Sequence, residues 1–185
     1  MTSLWTGKRI RLRGIEPDDW TVFMRLAEEE AGMGDLPRPP RSAEHHRART
    51  RQQAAAPSDG DCFQLAIEAV ETGEMVGAIG SFHADPRSGR FEYGVTIGAG
   101  HRRCGYAAEA VRLLLRHMFE ERRFRKCQAR ILAYNTASLS LHRRLGFVEE
   151  GRLREHVFVA GRYQDLVLMS TFAEEFARPR LPDGC

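Results

Sequence analysis

The stretch Gly98-Ala-Gly-His-Arg-Arg-Cys-Gly-Tyr-Ala107 joins a segment that alternates like a β-strand, residues 90–97, to the strongest helical pattern of the chain, residues 105–122. The helical pattern consists of apolar residues at i, i+4, i+7, i+8 and i+11, namely Ala107, Val111, Leu114, Leu115 and Met118. A turn between a strand and a helix aims backbone N–H groups and the positive end of the helix dipole at one point. Such a point binds phosphate groups.

The residues of this turn narrow the kind of phosphate site. Gly105 and Ala107 let an anion approach the backbone, and the arginines at 102 and 103 can donate charge-assisted hydrogen bonds. A P-loop is excluded because Tyr106, and not lysine, follows Gly105. A dinucleotide fingerprint is excluded because an arginine takes the place of its third glycine. The alternative is an ordinary strand-to-helix turn without a ligand.

The patterns on either side of the turn predict one sheet with interleaved helices. Alternating segments predict strands over 9–13, 62–69, 75–82, 90–97, 126–133, 148–159 and 163–171. Apolar spacing and start signals predict helices over 17–30, 43–55, 105–122 and 136–145, with a break at 32–40. Because no repeat or interdomain linker is visible, we expect a single α+β domain over 1–175, with helices on both faces of a mixed sheet and a tail over 176–185.

The composition excludes several classes of protein. Of 185 residues, 42% are hydrophobic and 29% charged, the mean hydropathy is −0.44, and no apolar run approaches the ~18 residues of a membrane span. The first residues lack the basic and apolar regions of a secretory signal, which predicts a cytoplasmic protein. The four cysteines, Cys62, Cys104, Cys127 and Cys185, form no C-x-x-C pair, so we expect neither a disulfide framework nor a metal site.

The charge is unevenly distributed although the formal net charge is only +3. Residues 101–154 hold 13 Lys or Arg against five Asp or Glu, and the rest of the chain is acidic. This distribution suits an anionic ligand in the basic segment, although a solvated charged face is the alternative. Only Lys8 and Lys126 of the 28 basic residues are lysines, a bias that a GC-rich genome explains as well as phosphate binding.

Two motifs resemble those of the GNAT N-acetyltransferases. Arg102-x-x-Gly105-x-Ala107 resembles the acetyl-CoA signature [RQ]-x-x-G-x-[GA], and the stretch from Asn135 to Phe147 resembles the family's second block, N-x-x-S-x-x-L-Y-x-K-x-G-F. The closing segments 150–155 and 161–169 resemble those of the RimJ/RimL-like branch. The resemblance implies a mostly antiparallel, seven-stranded sheet whose strands splay at an acyl-CoA cleft, with acetyl-CoA as co-substrate.

The resemblance also assigns binding roles. The backbone of Val95, Thr96 and Ile97 would pair with the pantetheine arm of acetyl-CoA. The pyrophosphate would lie on the turn, against Arg102, Arg103, Cys104, Gly105, Tyr106 and Ala107. Asn135 and Ser138 would lie near the thioester, although Asn135 is equally suited to cap a helix, and both roles are compatible. Arg144 occupies the basic position of the second block and would bind an anion.

The implied reaction is direct attack of a primary amine on the thioester, which needs a base for the amine and an acid for the CoA thiolate. Glu92 matches the position of a glutamate base in several family members, with a structural carboxylate or ordered water as the alternatives. His142 stands where the family usually has a tyrosine acid. Histidine can donate a proton near neutral pH, but the acid could also be dispensable or lie elsewhere, for example at Tyr134.

The resemblance is poorest in the segments that would bind the acceptor. The acceptor could therefore be a small-molecule amine, an antibiotic, a polyamine or a protein N-terminus. Glu28, Glu29 and Glu30 would suit a polyamine, or form the solvated end of a helix. A non-catalytic acyl-CoA sensor or scaffold is the alternative function. We expect no nucleic acid partner, because no recognition motif accompanies the basic residues 122–126. We also expect no membrane partner. The resemblance allows a homodimer.

Overall fold

Seven strands form one open sheet in the order β1-β2-β3-β4-β5-β7-β6. The computed structural model describes residues 3–30, 39–57 and 60–177. The strands are β1 (Ile10–Arg13), β2 (Phe63–Ala69), β3 (Met75–Asp85), β4 (Arg90–Ile97), β5 (Lys126–Leu132), β6 (Val148–Val159) and β7 (Arg162–Phe172). The helices are α1 (Trp20–Glu30), α2 (Ala43–Ala54), α3 (Tyr106–Arg116), α4 (Thr136–Leu145) and α5 (Ala173–Ala177).

The pairing of the strands is mixed and mostly antiparallel, as expected. The meander β1 to β4 is antiparallel throughout, and β5–β7 and β7–β6 are antiparallel too. The β4–β5 pair is parallel because α3 carries the chain across the sheet between these two strands.

Helices cover both faces of the sheet, which confirms the predicted fold class. On one face, α1 packs Val22 and Phe23 against Ala66, Met75 and Ala78 of β2 and β3. The other face belongs to the larger apolar core, in which α3 and α4 cover inward-facing residues of β4, β5 and β7. Val111, Leu114 and Leu115 of the predicted apolar stripe are fully buried in α3, together with Ala110, whereas Ala107 is half-buried.

The ends of two predicted elements differ from the observed ones. The predicted helix 105–122 is α-helical only to Arg116 and continues as a π-helical turn over His117–Glu121. At the C-terminus, Phe176, which the prediction assigns to the tail, packs its ring 5.7 Å from that of Phe119. The predicted break at 32–40 and the tail beyond 177 lie almost entirely outside the described residues. In the described part of the chain, no helix combines the length and apolarity that a membrane span requires.

The π-helical turn places His117 in an apolar environment. Its ring stacks 4.5 Å from that of Trp5, and its buried Nδ1 has no hydrogen-bond partner among the described residues. Burial, followed by the charge of Arg122, lowers the pKa of His117 below its ordinary value. A proton taken up at this nitrogen would therefore lack an acceptor.

We predict that stability falls as the pH is lowered through the depressed pKa of His117. The unfolded chain binds this proton near pH ~6.5 and the folded chain only at lower pH, so the stabilisation is complete above pH ~6.5 and lost in acid. Urea unfolding of the wild type and of His117→Phe at several pH values between neutral and mildly acidic measures the effect. The variant should lose less stability on acidification, and identical pH dependence in both proteins would contradict the prediction.

Candidate active site

The sheet is split where β4 and β5 part. These strands pair only between Arg90–Glu92 and Lys126–Gln128. Beyond that point they separate and leave a cleft of about 1480 Å³ that is lined from both faces of the sheet. The lining includes Tyr93–Ile97 of β4 and Ala129–Leu132 of β5. The cleft therefore lies at the predicted splay, next to the turn that leads into α3.

The turn between β4 and α3 is held in a conformation that requires glycine at one position. Gly105 has a φ of 81° as the residue before α3, and Arg103 also has a positive φ, 63°. A Cβ atom on Gly105 would collide with the guanidinium of Arg9. The backbone N–H groups of the first turn of α3, which have no partners within the helix, begin directly after this residue. Because Gly105 has no side chain of its own, it does not cover the N–H donors at the start of α3.

Three hydrogen bonds hold this turn, two of them to residues outside it and one from Arg102 within it. The Ala99 backbone N–H donates to Glu29 Oε2 at 2.6 Å, which ties the turn to α1. Arg102 Nε donates to the Ile97 carbonyl at 3.1 Å, and Arg9 Nη1 donates to the Cys104 carbonyl at 2.9 Å. Glu29, one of the three acidic residues at the end of α1, is therefore used to hold the turn and is not available to an acceptor.

Helix α4 forms the other side of the cleft and begins at Asn135. The Asn135 side-chain oxygen accepts from the Ser138 backbone N–H at 3.1 Å, so the predicted helix cap is present. Gly146, at a φ of 89°, ends the helix, as expected for a glycine after the last turn. Both Asn135 and Ser138 line the cleft, so the capping role does not remove Asn135 from the site.

Tyr93 and His142 form a buried hydrogen-bonded pair at the wall of the cleft. The Tyr93 hydroxyl lies 2.7 Å from His142 Nε2, and His142 Nδ1 lies 2.7 Å from the Ser138 carbonyl oxygen. A carbonyl oxygen can only accept, so Nδ1 carries the proton and Nε2 accepts from the Tyr93 hydroxyl. Burial lowers the pKa of His142, and burial raises the pKa of Tyr93 well above its ordinary value. At neutral pH the pair is an uncharged phenol donating to an uncharged imidazole.

This geometry does not favour the predicted role of His142 as the direct acid. Its Nδ1 proton is engaged by the Ser138 carbonyl, and its Nε2 has no proton to give. The physical reason is burial, which keeps the imidazole neutral where an exposed histidine would be partly charged. Tyr134, the alternative, is 38% exposed and lies outside the cleft lining.

The cleft brings together twelve of the fourteen predicted site residues. They are Val95, Thr96, Ile97, Arg102, Arg103, Gly105, Tyr106, Ala107, Asn135, Ser138, His142 and Arg144. Glu92 and Cys104 are not part of the lining. Glu92 instead lies 3.3 Å from His83 Nδ1 through its Oε2, and the Cys104 side chain is exposed. Glu92 alternates with Tyr93 along β4, so the two side chains leave opposite faces of the sheet, and only Tyr93 borders the cleft.

Several residues that the sequence does not single out line the cleft on the α1–α2 side. They include Phe23, Arg49, Gln53, Gln64, Phe82 and Arg130. Alternation along β5 could have indicated that Arg130 faces away from the core, because Ala129 and Ile131 on either side of it are buried beneath α3 and α4. For Arg49, on the polar helix α2, the sequence carries no such signal.

An open mixed sheet split between two parallel strands, with a glycine-bearing helix start at the split, is the architecture of acyl-CoA-dependent N-acyltransferases. The model of the acetyltransferase (GNAT) domain family matches residues 9–148. The SPbeta prophage-derived uncharacterized N-acetyltransferase YokL of Bacillus subtilis (strain 168) is 33% identical over 173 residues, 93% of this chain and 94% of that protein. The putative ribosomal N-acetyltransferase YdaF of the same organism is 29% identical over 56% of this chain and 57% of that protein.

Among solved structures, the spermidine N-acetyltransferase from Vibrio cholerae in complex with CoA and spermine superposes with a TM-score of 0.79 at 20% identity. The match covers 93% of this chain and all of that one. The chain belongs to the GNAT acetyltransferase family. It is an N-acetyltransferase that uses acetyl-CoA as co-substrate and an amine as acceptor.

Proposed function

We propose that the acetyl group passes directly from acetyl-CoA to a primary amine while both are bound in the cleft between β4 and β5. The observation that carries this proposal is the position of the Tyr93–His142 pair. The pair lines the same cleft as the phosphate-binding turn, and the cleft opens to both faces of the sheet. Two substrates can therefore enter from opposite faces and meet at the split.

The residues around the turn fit the anionic end of CoA. Gly105 keeps a side chain away from the N–H groups that begin α3, and Arg103 and Arg144 are exposed cations on the cleft wall. The helix dipole adds its positive end at the same place. We propose that the pyrophosphate contacts this turn and that the pantetheine arm follows Val95–Ile97 of β4, whose β5 side is unpaired beyond Glu92.

Attack of the amine nitrogen on the thioester carbonyl forms a C–N bond and breaks the C–S bond. The nitrogen loses one proton and the CoA sulfur gains one, so no other reactant is needed. Glu92 lies outside the cleft lining. We therefore propose that water in the cleft removes the amine proton, which is one of the alternatives that the sequence leaves open.

We assign the proton donor for the departing sulfur to Tyr93, with His142 as a positioning residue. The phenol is buried, and burial raises its pKa so that it is protonated at neutral pH; it borders the cleft, and its hydroxyl donates to His142 Nε2. Because Nδ1–H of His142 is anchored on the Ser138 carbonyl, the imidazole presents a fixed acceptor to Tyr93. When the phenol gives its proton to the departing sulfur, the hydroxyl turns from His142 Nε2 to that sulfur. The water that took the amine proton then returns a proton to the phenolate, so the imidazole positions the phenol before the transfer and the protons balance.

The finer identity of the enzyme rests on resemblance. The closing strands and the partial match to a putative ribosomal N-acetyltransferase support a place in the RimJ/RimL-like branch. The exposed rings of Phe158 and Tyr163, 5.1 Å apart on the β6–β7 hairpin, support a homodimer. We also propose that the protein acts in the cytoplasm as one domain over 1–175.

Release of CoA thiol in the presence of a panel of primary amines tests the proposed function. We expect release that depends on the amine and saturates with both substrates, with equal amounts of thiol and acetylated amine. Calorimetric binding of acetyl-CoA, measured in parallel, identifies the sensor alternative. Binding of acetyl-CoA without amine-dependent release across the panel would contradict the proposed reaction.

We predict that Arg103→Ala raises the KM for acetyl-CoA about tenfold with little change in kcat. A charge-assisted hydrogen bond to a phosphate contributes on the order of 1.5 kcal/mol, and the phosphates lie away from the reacting atoms. Steady-state kinetics with acetyl-CoA varied gives both constants. Arg87→Ala, which removes the same charge from an exposed turn outside the cleft lining, is the control. An equal rise in KM in both variants would reduce the effect to net charge.

A further inference from the structure

We infer that the acceptor is an aminocarboxylate, a small molecule that carries a carboxylate beside its primary amine, and not a polyamine. This inference rests on the proposed function and names its substrate class. It starts from the charge of the cleft. Among the described residues that line the cleft, none is Asp or Glu, whereas six are arginines. Of the acidic residues that suggested a polyamine, Glu28 and Glu29 lie outside this lining.

Among the described carboxylates of α1 and β4, Glu29 and Glu92 have other partners, and Glu28 lies outside the lining. Glu29 accepts from the Ala99 N–H at 2.6 Å and lies 3.9 Å from Arg102. Glu92 pairs with His83. Glu28 is not part of the lining. A polyamine would thus bring two or more ammonium groups into a site whose described residues offer it no carboxylate, and burying such charges without partners is unfavourable.

Two of the lining arginines, Arg49 and Arg130, lie on the α1–α2 face of the sheet. Arg49 comes from α2, which packs with α1 on one face of the sheet. Arg130 lies on β5 between Ala129 and Ile131, which face α3 and α4, so its side chain leaves the sheet on the α1–α2 face. Both side chains are exposed and line the cleft. Within the described part of the chain, the Arg130 side chain makes no hydrogen bond or ion pair.

The neutral groups around these arginines do not balance their charge. Gln53 donates to Gln64 at 2.7 Å, which joins α2 to β2 across the cleft wall. Burial lowers the pKa of His46, and so do the nearby charges of His45 and Arg49, so His46 favours its neutral form. A carboxylate on the acceptor would supply the missing charge. The planar guanidinium matches its two oxygens in a bidentate contact.

Matched acceptors that differ only in the carboxylate test this inference. The measurement is amine-dependent CoA release with leucine and leucinamide, with phenylalanine and phenylalaninamide, and with spermidine. The amide of each pair has the less basic amine, so a larger fraction of it is unprotonated and able to attack near neutral pH. This difference favours the amide and therefore works against the expected preference for the amino acid. The variants are Arg130→Ala, Arg49→Ala and, as the control, Arg51→Ala. Arg51 is exposed on α2 and lies outside the lining.

We expect kcat/KM for the amino acid to exceed that for its amide by at least about tenfold, the value of one charge-assisted hydrogen bond. Arg130→Ala and Arg49→Ala should reduce this ratio towards one, while Arg51→Ala preserves it and the KM for acetyl-CoA stays constant. A preference for the amide or for spermidine overturns the inference but leaves the proposed function standing, as does a ratio unchanged in both arginine variants. Binding of acetyl-CoA without transfer to any amine overturns the proposed function itself.

Discussion

Replacement of Gly105 by valine is expected to weaken acetyl-CoA binding by about 100-fold or more. Two effects add in the same direction. A β-branched residue at a φ of 81° is strongly disfavoured, and its Cβ would displace the flexible Arg9 guanidinium from its hydrogen bond to the Cys104 carbonyl. The turn must then change shape, and the N–H groups at the start of α3 no longer converge. A 100-fold loss corresponds to about 2.7 kcal/mol.

The control for this substitution lies in the same turn. Gly100 does not have a positive φ, nothing lies within 4 Å of a Cβ placed on it, and it is outside the cleft lining. Gly100→Val should therefore bind acetyl-CoA within a few-fold of the wild type. Calorimetry with acetyl-CoA measures both variants, and their melting temperatures separate loss of the turn from loss of the fold. Equal affinities in the two variants would show that the turn does not bind the co-substrate.

The fold was predictable because its signals are local. Alternation along β2 and β4 and the stripe of α3 depend only on which residues face the core, and the structure buries several of them, among them Ile67, Phe91 and Leu114. The π-helical turn after Arg116 was not predictable, because apolar residues such as Met118 and Phe119 suit a continued α-helix equally well. In the structure, His117 at the start of this turn packs against Trp5 and Phe63, which are distant in sequence and which a local pattern does not include.

The residues expected to bind acetyl-CoA were easier to predict from the sequence than the residues expected to transfer protons. The turn at 102–107 and the cap at Asn135 follow from backbone requirements that a short motif encodes. The state of His142 depends instead on Tyr93, 49 positions earlier, and on the Ser138 carbonyl. A sequence shows the presence of an imidazole but not its burial or the atoms that hold its two nitrogens, so the direct acid role could not be tested before the fold was known.

Tyr93→Phe is expected to lower kcat by about 100-fold, in the lower part of the range for general acids, while the KM for acetyl-CoA changes little. His142→Ala should lower turnover by at least about tenfold, since the phenol loses the acceptor that orients it. The control is Tyr163→Phe, which removes a hydroxyl from a tyrosine that is 63% exposed. If Tyr93→Phe retains the kcat of this control, Tyr93 is not the donor.

The double variant Tyr93→Phe/His142→Ala separates a positioning role from an independent one. If His142 acts only through Tyr93, its removal adds little once the hydroxyl is gone, so the two losses of activation free energy are strongly non-additive. Losses that multiply would instead assign His142 a separate function.

The pH dependence of kcat gives a second readout of the role of His142. Because burial depresses the pKa of His142, its protonation should reduce the wild-type rate only on the acid side of neutrality, where Nε2 gains a proton and can no longer accept from Tyr93. His142→Ala should lack this acid limb, and an unchanged profile in that variant would remove His142 from the mechanism.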